Sequence, residues 1–273
     1  MRLEVDMELF RRAAFSLVSS VWLVACAERP DGNLLAASTQ RPLADAGQPS
    51  STAIDAHPDA GVAANVGFPF LGRYLLNARD LGGIHVRGAA RVASGRLFRG
   101  PAVPSLPGNG CDAFAGAGVR SVIDLRTPSE TTSQPDVTCI SDRAQIVFAP
   151  LPLPSSASPE EYIAMLDARD SIFTFFTVLA DSSAYPIYFH CSWGRDRAGV
   201  AAALVLLALG AARQDIMEDY LRSRQTGGVT PEPLDAALDE IERRGGIEAY
   251  LSTMGVSAQM LDALQHAVVE PLL

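Results

Sequence analysis

The stretch Tyr188–Val200, YFHCSWGRDRAGV, joins two unlike segments. Pro186–His190 (PIYFH) is a short, β-prone apolar run, and Arg197–Gly210 (RAGVAAALVLLALG) is nearly all apolar, which predicts a central, buried helix. A strand, a short loop and a buried helix form one repeating step of an α/β structure. In open α/β sheets, ligands bind beyond the carboxyl ends of the strands. A helix N-terminus there offers free backbone N–H groups and a partial positive charge. Together these make a cradle for a phosphate or another oxyanion. Cys191 stands at its base, where the same field favours a thiolate. Arg197, six residues on, can add a planar fork to phosphate oxygens, and Gly194 lets the loop turn in close. The pattern suits a cysteine that attacks phosphorus and forms a cysteinyl phosphate, which water then hydrolyses. The alternative is an inert buried cysteine beside two surface arginines. The joint placement of His190, Cys191 and Arg197 between strand and helix disfavours it.

Working outward, Gly118–Thr127 (GVRSVIDLRT) reads as a largely buried strand carrying Val119, Val122, Ile123 and Leu125. Ala144–Leu151 reads as a second strand stopped by Pro150 and Pro152, and Arg96–Gly100 as a short early strand or turn. Ser158–Ser182 predicts one helix: Ser158 can cap it, Pro159 suits its first turn, and Glu160 and Glu161 favour its positive end. Four further helices are expected at about 213–224, 231–244, 246–254 and 257–269. The order predicts an α/β sandwich with a mostly parallel central sheet flanked by helices. No internal repeat is seen.

His190–Gly199, HCSWGRDRAG, resembles the signature loop of the cysteine-based protein tyrosine phosphatases, His-Cys-five residues-Arg. More narrowly it resembles the bacterial tyrosine and dual-specificity phosphatases whose loop reads HCxxGKDRTG. Asn77–Ile84 (NARDLGGI) is similar to that family's NFRDLGG, and RLFRG follows at a familiar distance. Val122–Glu130 (VIDLRTPSE) and Asp215–Arg224 (DIMEDYLRSR) resemble its VIDLR strand and the helix after the loop. The likeness covers about Phe70 to Leu273. It implies a tyrosine phosphatase-like fold, phosphomonoester hydrolysis without a cofactor, and a phosphorylated protein or phosphoinositide as substrate. By matching position, Cys191 is the nucleophile and Arg197 the phosphate clamp, while His190 helps to depress the cysteine pKa. Ser192, Trp193, Gly194, Arg195, Ala198 and Gly199 complete the substrate-binding loop. Arg195 stands where the family has lysine. It is either a contact for a second phosphate, as on a phosphoinositide, or a solvated rim charge. Trp193 either stacks on an aromatic substrate or packs on a neighbouring loop.

The chain departs from the pattern twice. Ala198 replaces a Thr or Ser whose hydroxyl would hydrogen-bond the cysteine sulfur, so hydrolysis of the intermediate is expected to be slow. The loop expected to carry an aspartic general acid, Pro150–Glu161, contains no Asp. Asp196 is the preferred candidate; Asp80 is another, or else holds an arginine near the loop. Glu160 and Glu161 are the nearest acids in sequence, or simply compensate the helix start. General acid catalysis is typically worth about 10²–10⁴-fold. A pseudophosphatase that only binds phosphorylated ligands is therefore the rival reading, although retention of both Cys191 and Arg197 favours an active enzyme. Sulfur transfer and arsenate reduction fit the NARDLGG and EDYLRSR stretches less well.

The rest of the chain sets the context. Hydrophobic residues make up 48%, enough for a core, and the net charge of −9 disfavours non-specific nucleic-acid binding. Residues 1–25 read as a lipoprotein-type signal peptide: Arg11 and Arg12 precede an apolar run, Ala13–Ala25, too short to span a bilayer. Leu23-Val24-Ala25 before Cys26 resembles a bacterial lipobox, implying a lipidated Cys26, and more than one acyl chain there would anchor stably. Residues 26–65, rich in Ala, Pro, Ser, Asp, Gly and Gln, read as a disordered tether, and 66–273 as the catalytic domain. The expectation is an exported, membrane-anchored lipoprotein of the bacterial envelope. Cys111 and Cys139 flank the VIDLR strand and read as a disulfide or as two separate thiols. His57, His85 and His266 show no metal-ligand spacing, and Gly100–Gly110 lacks the spacing of an ATP-binding phosphate loop.

Overall fold

The computed structural model describes residues 71–272. The signal peptide, Cys26, the tether and the first residues of the expected domain lie outside them.

The strands, in chain order, are β1 (Arg79–Asp80), β2 (His85–Val86), β3 (Ala90–Val92), β4 (Leu97–Pro101), β5 (Ser121–Asp124), β6 (Gln145–Phe148), β7 (Ile187–Cys191) and β8 (Val269–Pro271). The helices are α1 (Leu71–Tyr74), α2 (Gly110–Gly116), α3 (Pro128–Ser133), α4 (Thr138–Ser141), α5 (Pro159–Met165) and α6 (Arg169–Leu179). They continue with α7 (Asp196–Ala208), α8 (Arg213–Leu221), α9 (Glu232–Arg243), α10 (Ile247–Thr253) and α11 (Ala258–Val268).

The central sheet has the order β1-β4-β7-β5-β6, parallel except for β1. β5 and β7 are buried at every residue, as strands covered on both faces must be, whereas the edge strand β6 is half exposed. Alternate residues face two cores. Phe98, Val122 and Tyr188 pack with Phe114 of α2 and Ile140 of α4. Leu97, Ile123, Ile187 and Phe189 pack with Tyr162, Phe175, Phe176 and the apolar body of α7. Helices thus cover both faces, which is the predicted sandwich. Residues 197–206 of α7 are all buried, as its lack of a polar face requires.

Two expectations need correction. The single helix predicted over Ser158–Ser182 is two helices, α5 and α6. A buried tyrosine, Tyr250, donates its hydroxyl to the Leu166 carbonyl at 2.8 Å, and Ala168 is non-helical at φ −77°, ψ 63°. That carbonyl would otherwise extend the helix. The second is at the chain end, where Val269, read as the last residue of the final helix, instead opens β8. It pairs antiparallel with β3, which pairs with β2, in a second, three-stranded sheet. Cys111 of α2 and Cys139 of α4 are joined as a disulfide.

Candidate active site

The parallel register brings three strand ends together: Pro101 of β4 lies beside Cys191, and Asp124 of β5 beside His190. The chain leaves β7 at Cys191, turns through Ser192–Arg195, and enters α7 at Asp196. Gly194 makes this turn possible. Its φ is +68°, and a Cβ there would stand 2.4 Å from the Gly100 carbonyl carbon. Gly199 is required by packing, since its Cβ would meet the Tyr220 ring at 2.9 Å. Cys191 and Arg197 are each 2% exposed.

Arg197 is held in place by a carboxylate. Its Nη1 and Nη2 donate to Oε2 and Oε1 of Glu130, both at 2.7 Å, and the Ser192 hydroxyl donates to Oε1 at 2.6 Å. Glu130 is the third residue of α3 and closes a capping box with Thr127. Burial alone would raise its pKa; hydrogen bonds from Arg197, Ser192 and Thr127 outweigh it and hold the carboxyl well below its ordinary range. The likeness of Val122–Glu130 to the VIDLR strand assigns Glu130 no role of its own. The signal was there, in the Thr-x-x-Glu pattern that starts a helix just beyond a strand end.

The loop is braced from beneath. Arg99 of β4 donates to the carbonyls of Gly194 at 2.9 Å and Arg195 at 3.2 Å. Asp219 of α8 bridges Arg79 Nε at 2.7 Å and Arg99 Nη1 at 2.6 Å, and Arg79 also reaches Ser223 at 3.2 Å. Burial and the neighbouring Arg79 push Arg99 down to about 10. Burial would raise Asp219, but the two arginines pull it well below the usual carboxylate range. Asn77 completes the brace by donating to the Trp193 carbonyl at 3.0 Å. The residue that holds the arginines is Asp219 and not Asp80. Asp80 accepts instead from the backbone N–H of Gly82 at 2.9 Å and of Gly95 at 2.7 Å, so it shapes a turn, and burial raises its pKa.

His190 is fully buried and stacks on Tyr188 with ring centroids 5.5 Å apart. Its Nε2 stands 3.3 Å from Asp136 Oδ2 and its Nδ1 3.9 Å from Asp124 Oδ1. These three residues could bring ligand atoms within 4.8 Å of one another, as a metal would need. Arg126, however, donates to both carboxylates at 2.7 Å and supplies the positive charge there.

The predicted acids separate clearly. The Glu161 carboxylate accepts from backbone and hydroxyl groups of Ser155 and Ser156 and from the Ser158 N–H. The Ser155 bonds lead in holding it far below its ordinary range, so it organises the loop and is not a proton donor. Glu160 is lowered by its own backbone N–H and by Ser158. Asp196 sits in the first turn of α7, one residue before Arg197; its Oδ1 accepts from the Tyr162 hydroxyl at 2.6 Å.

Arg195 is tied to the backbone beyond α8 through one nitrogen. Its Nη1 donates to the carbonyls of Gly227 at 2.7 Å and Thr226 at 3.3 Å, and its guanidinium lies 5.6 Å from the Trp193 ring centroid. Trp193 itself is 62% exposed. It walls a cavity of about 470 Å³ that begins at Ser192 and is lined also by Tyr74, Leu76, Pro101 and Pro104. Ala198 is fully buried and offers no hydroxyl.

A profile of the tyrosine phosphatase family matches residues 73–270, and the chain belongs to that family. A relative from Cupriavidus necator, named provisionally as a tyrosine-protein phosphatase, is 31% identical over 240 residues, spanning 77% of this chain and 83% of the relative. A tyrosine-protein phosphatase of Nostoc commune is 27% identical over 199 residues, spanning 56% of this chain and 67% of its own. The solved structure of P. aeruginosa TpbA is similar at 15% identity and a TM-score of 0.35, covering 62% of this chain and 91% of that one. With Cys191 at the end of β7 and Arg197 fixed in the first turn of α7, the chain is a cysteine-dependent phosphatase.

Proposed function

We propose that this phosphatase hydrolyses phosphotyrosine in proteins, with Asp196 as its general acid. The observation that carries this is the loop itself: a buried Cys191 ends β7, and an Arg197 oriented by Glu130 starts α7. Cys191 Sγ attacks phosphorus as the P–O bond to tyrosine breaks, and Asp196 gives its proton to the leaving phenolic oxygen. Arg197 Nη1 and Nη2 donate to Glu130 and also to the Leu125 carbonyl at 3.5 Å and Ser192 Oγ at 3.1 Å, which leaves Nε for a phosphate oxygen. Free N–H groups at the start of α7 add to it. Water then attacks phosphorus, the S–P bond breaks, and phosphate leaves.

The mostly apolar, Trp193-walled cavity beside Ser192 favours an aryl phosphate within a polypeptide. The test is phosphate release by the full-length protein from phosphotyrosine and phosphoserine peptides and a phosphoinositide panel, beside Cys191→Ser. Release from phosphotyrosine that disappears in the variant supports the reading. Comparable release from phosphoserine makes the enzyme dual-specificity, and a preference for phosphoinositides overturns the substrate assignment.

Ala198 supports one second reading. Without a hydroxyl to ease departure of the thiolate, the cysteinyl phosphate would accumulate. A burst of product followed by slow turnover is then expected. No turnover at all, with phospholigand binding that depends on Arg197, would make the protein a pseudophosphatase. The lipobox-like run before Cys26 supports export and a lipid anchor that holds the enzyme at a membrane of the bacterial envelope. Loss of labelled fatty acid incorporation in Cys26→Ala tests this; unchanged incorporation would refute it.

A further inference from the structure

Resting on Asp196 as the general acid, we propose that Tyr162 is a positioning residue that orients the Asp196 carboxyl and leaves its Oδ2 for the leaving group. Tyr162 lies on α5, directly after the loop that lacks an aspartate. It is fully buried, and its hydroxyl donates to Asp196 Oδ1 at 2.6 Å. The same hydroxyl lies 2.7 Å from that of Tyr220 on α8, with the two rings edge to face at 6.2 Å. Tyr220 is in turn wedged against Gly199 of α7. Burial, and then the charge of Asp196, raise the Tyr162 hydroxyl far above its ordinary value, so it remains a donor throughout the working range.

The two carboxyl oxygens of Asp196 therefore have unlike surroundings. Oδ1 is covered by a buried hydroxyl, whereas Oδ2 lies in ion-pair range of Arg195 Nε, at 3.7 Å. Turning the carboxyl away from Tyr162 would leave that hydroxyl with one fewer partner. Oδ2 is thus the oxygen left for the leaving group. As the Cys191 Sγ–P bond forms and the P–O bond breaks, Asp196 gives its proton to the leaving oxygen through Oδ2. Tyr162 then holds the carboxylate that results. When water attacks the cysteinyl phosphate, Oδ2 takes a proton back.

The anchoring helix is itself fixed. Ser158 and Glu161 close a capping box at its start, and Glu161 gathers Ser155 and Ser156. This chain thus takes its acid from inside the phosphate loop and sets it from a rigid helix. The acid would not depend on closure of a separate loop.

The test compares full-length wild type with Tyr162→Phe, Asp196→Asn and the double variant on aryl phosphates whose phenols span a range of acidity, and on an alkyl phosphate. A nitrophenol needs little protonation as it leaves; an alkoxide needs much. Tyr162→Phe is expected to lose about 10–100-fold in kcat on the poorest leaving groups and no more than about 3-fold on nitrophenyl phosphate. Asp196→Asn should lose about 10²–10⁴-fold on the poor leaving groups. The double variant should be no worse than Asp196→Asn. A loss in Tyr162→Phe that is equal across the series, or absent, overturns the positioning role while leaving Asp196 in place. A flat series in Asp196→Asn overturns the acid assignment and the present proposal with it. Should Tyr162→Phe not fold, Tyr220→Phe removes the hydroxyl partner but keeps the bond to Asp196. It should lose about 3-fold on the poor leaving groups alone, and a flat series there overturns the proposal.

Discussion

Replacing Asp219 by Asn would test whether the phosphate loop rests on a buried ion cluster. The side chains of Asp219, Arg79 and Arg99 are only 2%, 7% and 0% exposed, and both carboxylate oxygens are engaged, at 2.7 and 2.6 Å. Asparagine keeps the volume but offers one acceptor and one donor group. One guanidinium would then face an N–H₂, and the two arginines would lose the charge between them. Breaking a buried pair by removing one partner costs about 3–5 kcal/mol. For a domain of this size each kcal/mol is worth about 2–4 °C in Tm. A fall of roughly 10 °C is expected on these scales.

The effect should also depend on pH, with a definite sign. The folded-state pKa of Asp219 is depressed, with burial opposing and Arg79 and Arg99 prevailing. Its contribution is therefore complete above the unfolded value of about 3.9 and is lost as pH falls toward the lower folded value. Urea unfolding of wild type and Asp219→Asn at pH 7 should differ by the full amount. The difference should shrink below about pH 4, as the wild-type carboxyl protonates. Activity at 25 °C should fall as well, because Arg99 carries the Gly194 and Arg195 carbonyls. Equal stability at pH 7, or a difference that does not change with pH, would refute the reasoning.

Three further outcomes are expected. Glu130→Gln keeps the shape but removes the charge that orients Arg197; charge-assisted hydrogen bonds are worth about 1.5–3 kcal/mol, so kcat/KM should fall roughly 10–100-fold with little change in fold, and wild-type kinetics would show that Arg197 orients itself. Reduction of the Cys111–Cys139 disulfide, or its replacement by serines, opens a closed loop with a sequence separation of 28 and should cost about 3–4 kcal/mol; a melting curve indifferent to reductant would contradict this. Gly194→Ala combines a φ of +68° with a 2.4 Å approach to backbone, so the loop must move and turnover should be lost; a variant of normal activity would mean that the loop geometry is not needed for catalysis.

Parts of this molecule were legible from local patterns, and the reason differs from part to part. β7, the loop and α7 could be read because each has a strong local cause: an apolar run, a glycine, and a helix with no polar face. The break between α5 and α6 could not, because its cause is a tyrosine 84 positions away that takes one carbonyl. β8 was hidden for the same reason, since only pairing with β3 makes Val269–Pro271 a strand. The site divides likewise. Cys191 and Arg197 are set by a spacing of six along one turn. Their supports come from elsewhere: Glu130 lies 67 positions from Arg197, and Asp219 lies 120 from Arg99. Even so, a physical signal pointed to them. Arg99 stands between Phe98 and Gly100 inside a short apolar strand. An arginine buried there requires an acid buried opposite it. The neighbouring NARD segment directs attention to Asp80, which is adjacent in sequence. Yet Asp80 is occupied by two backbone amides, so the acid had to come from another element. Asp219 of α8 meets that requirement, and this ties the helix after the loop to the strand before it.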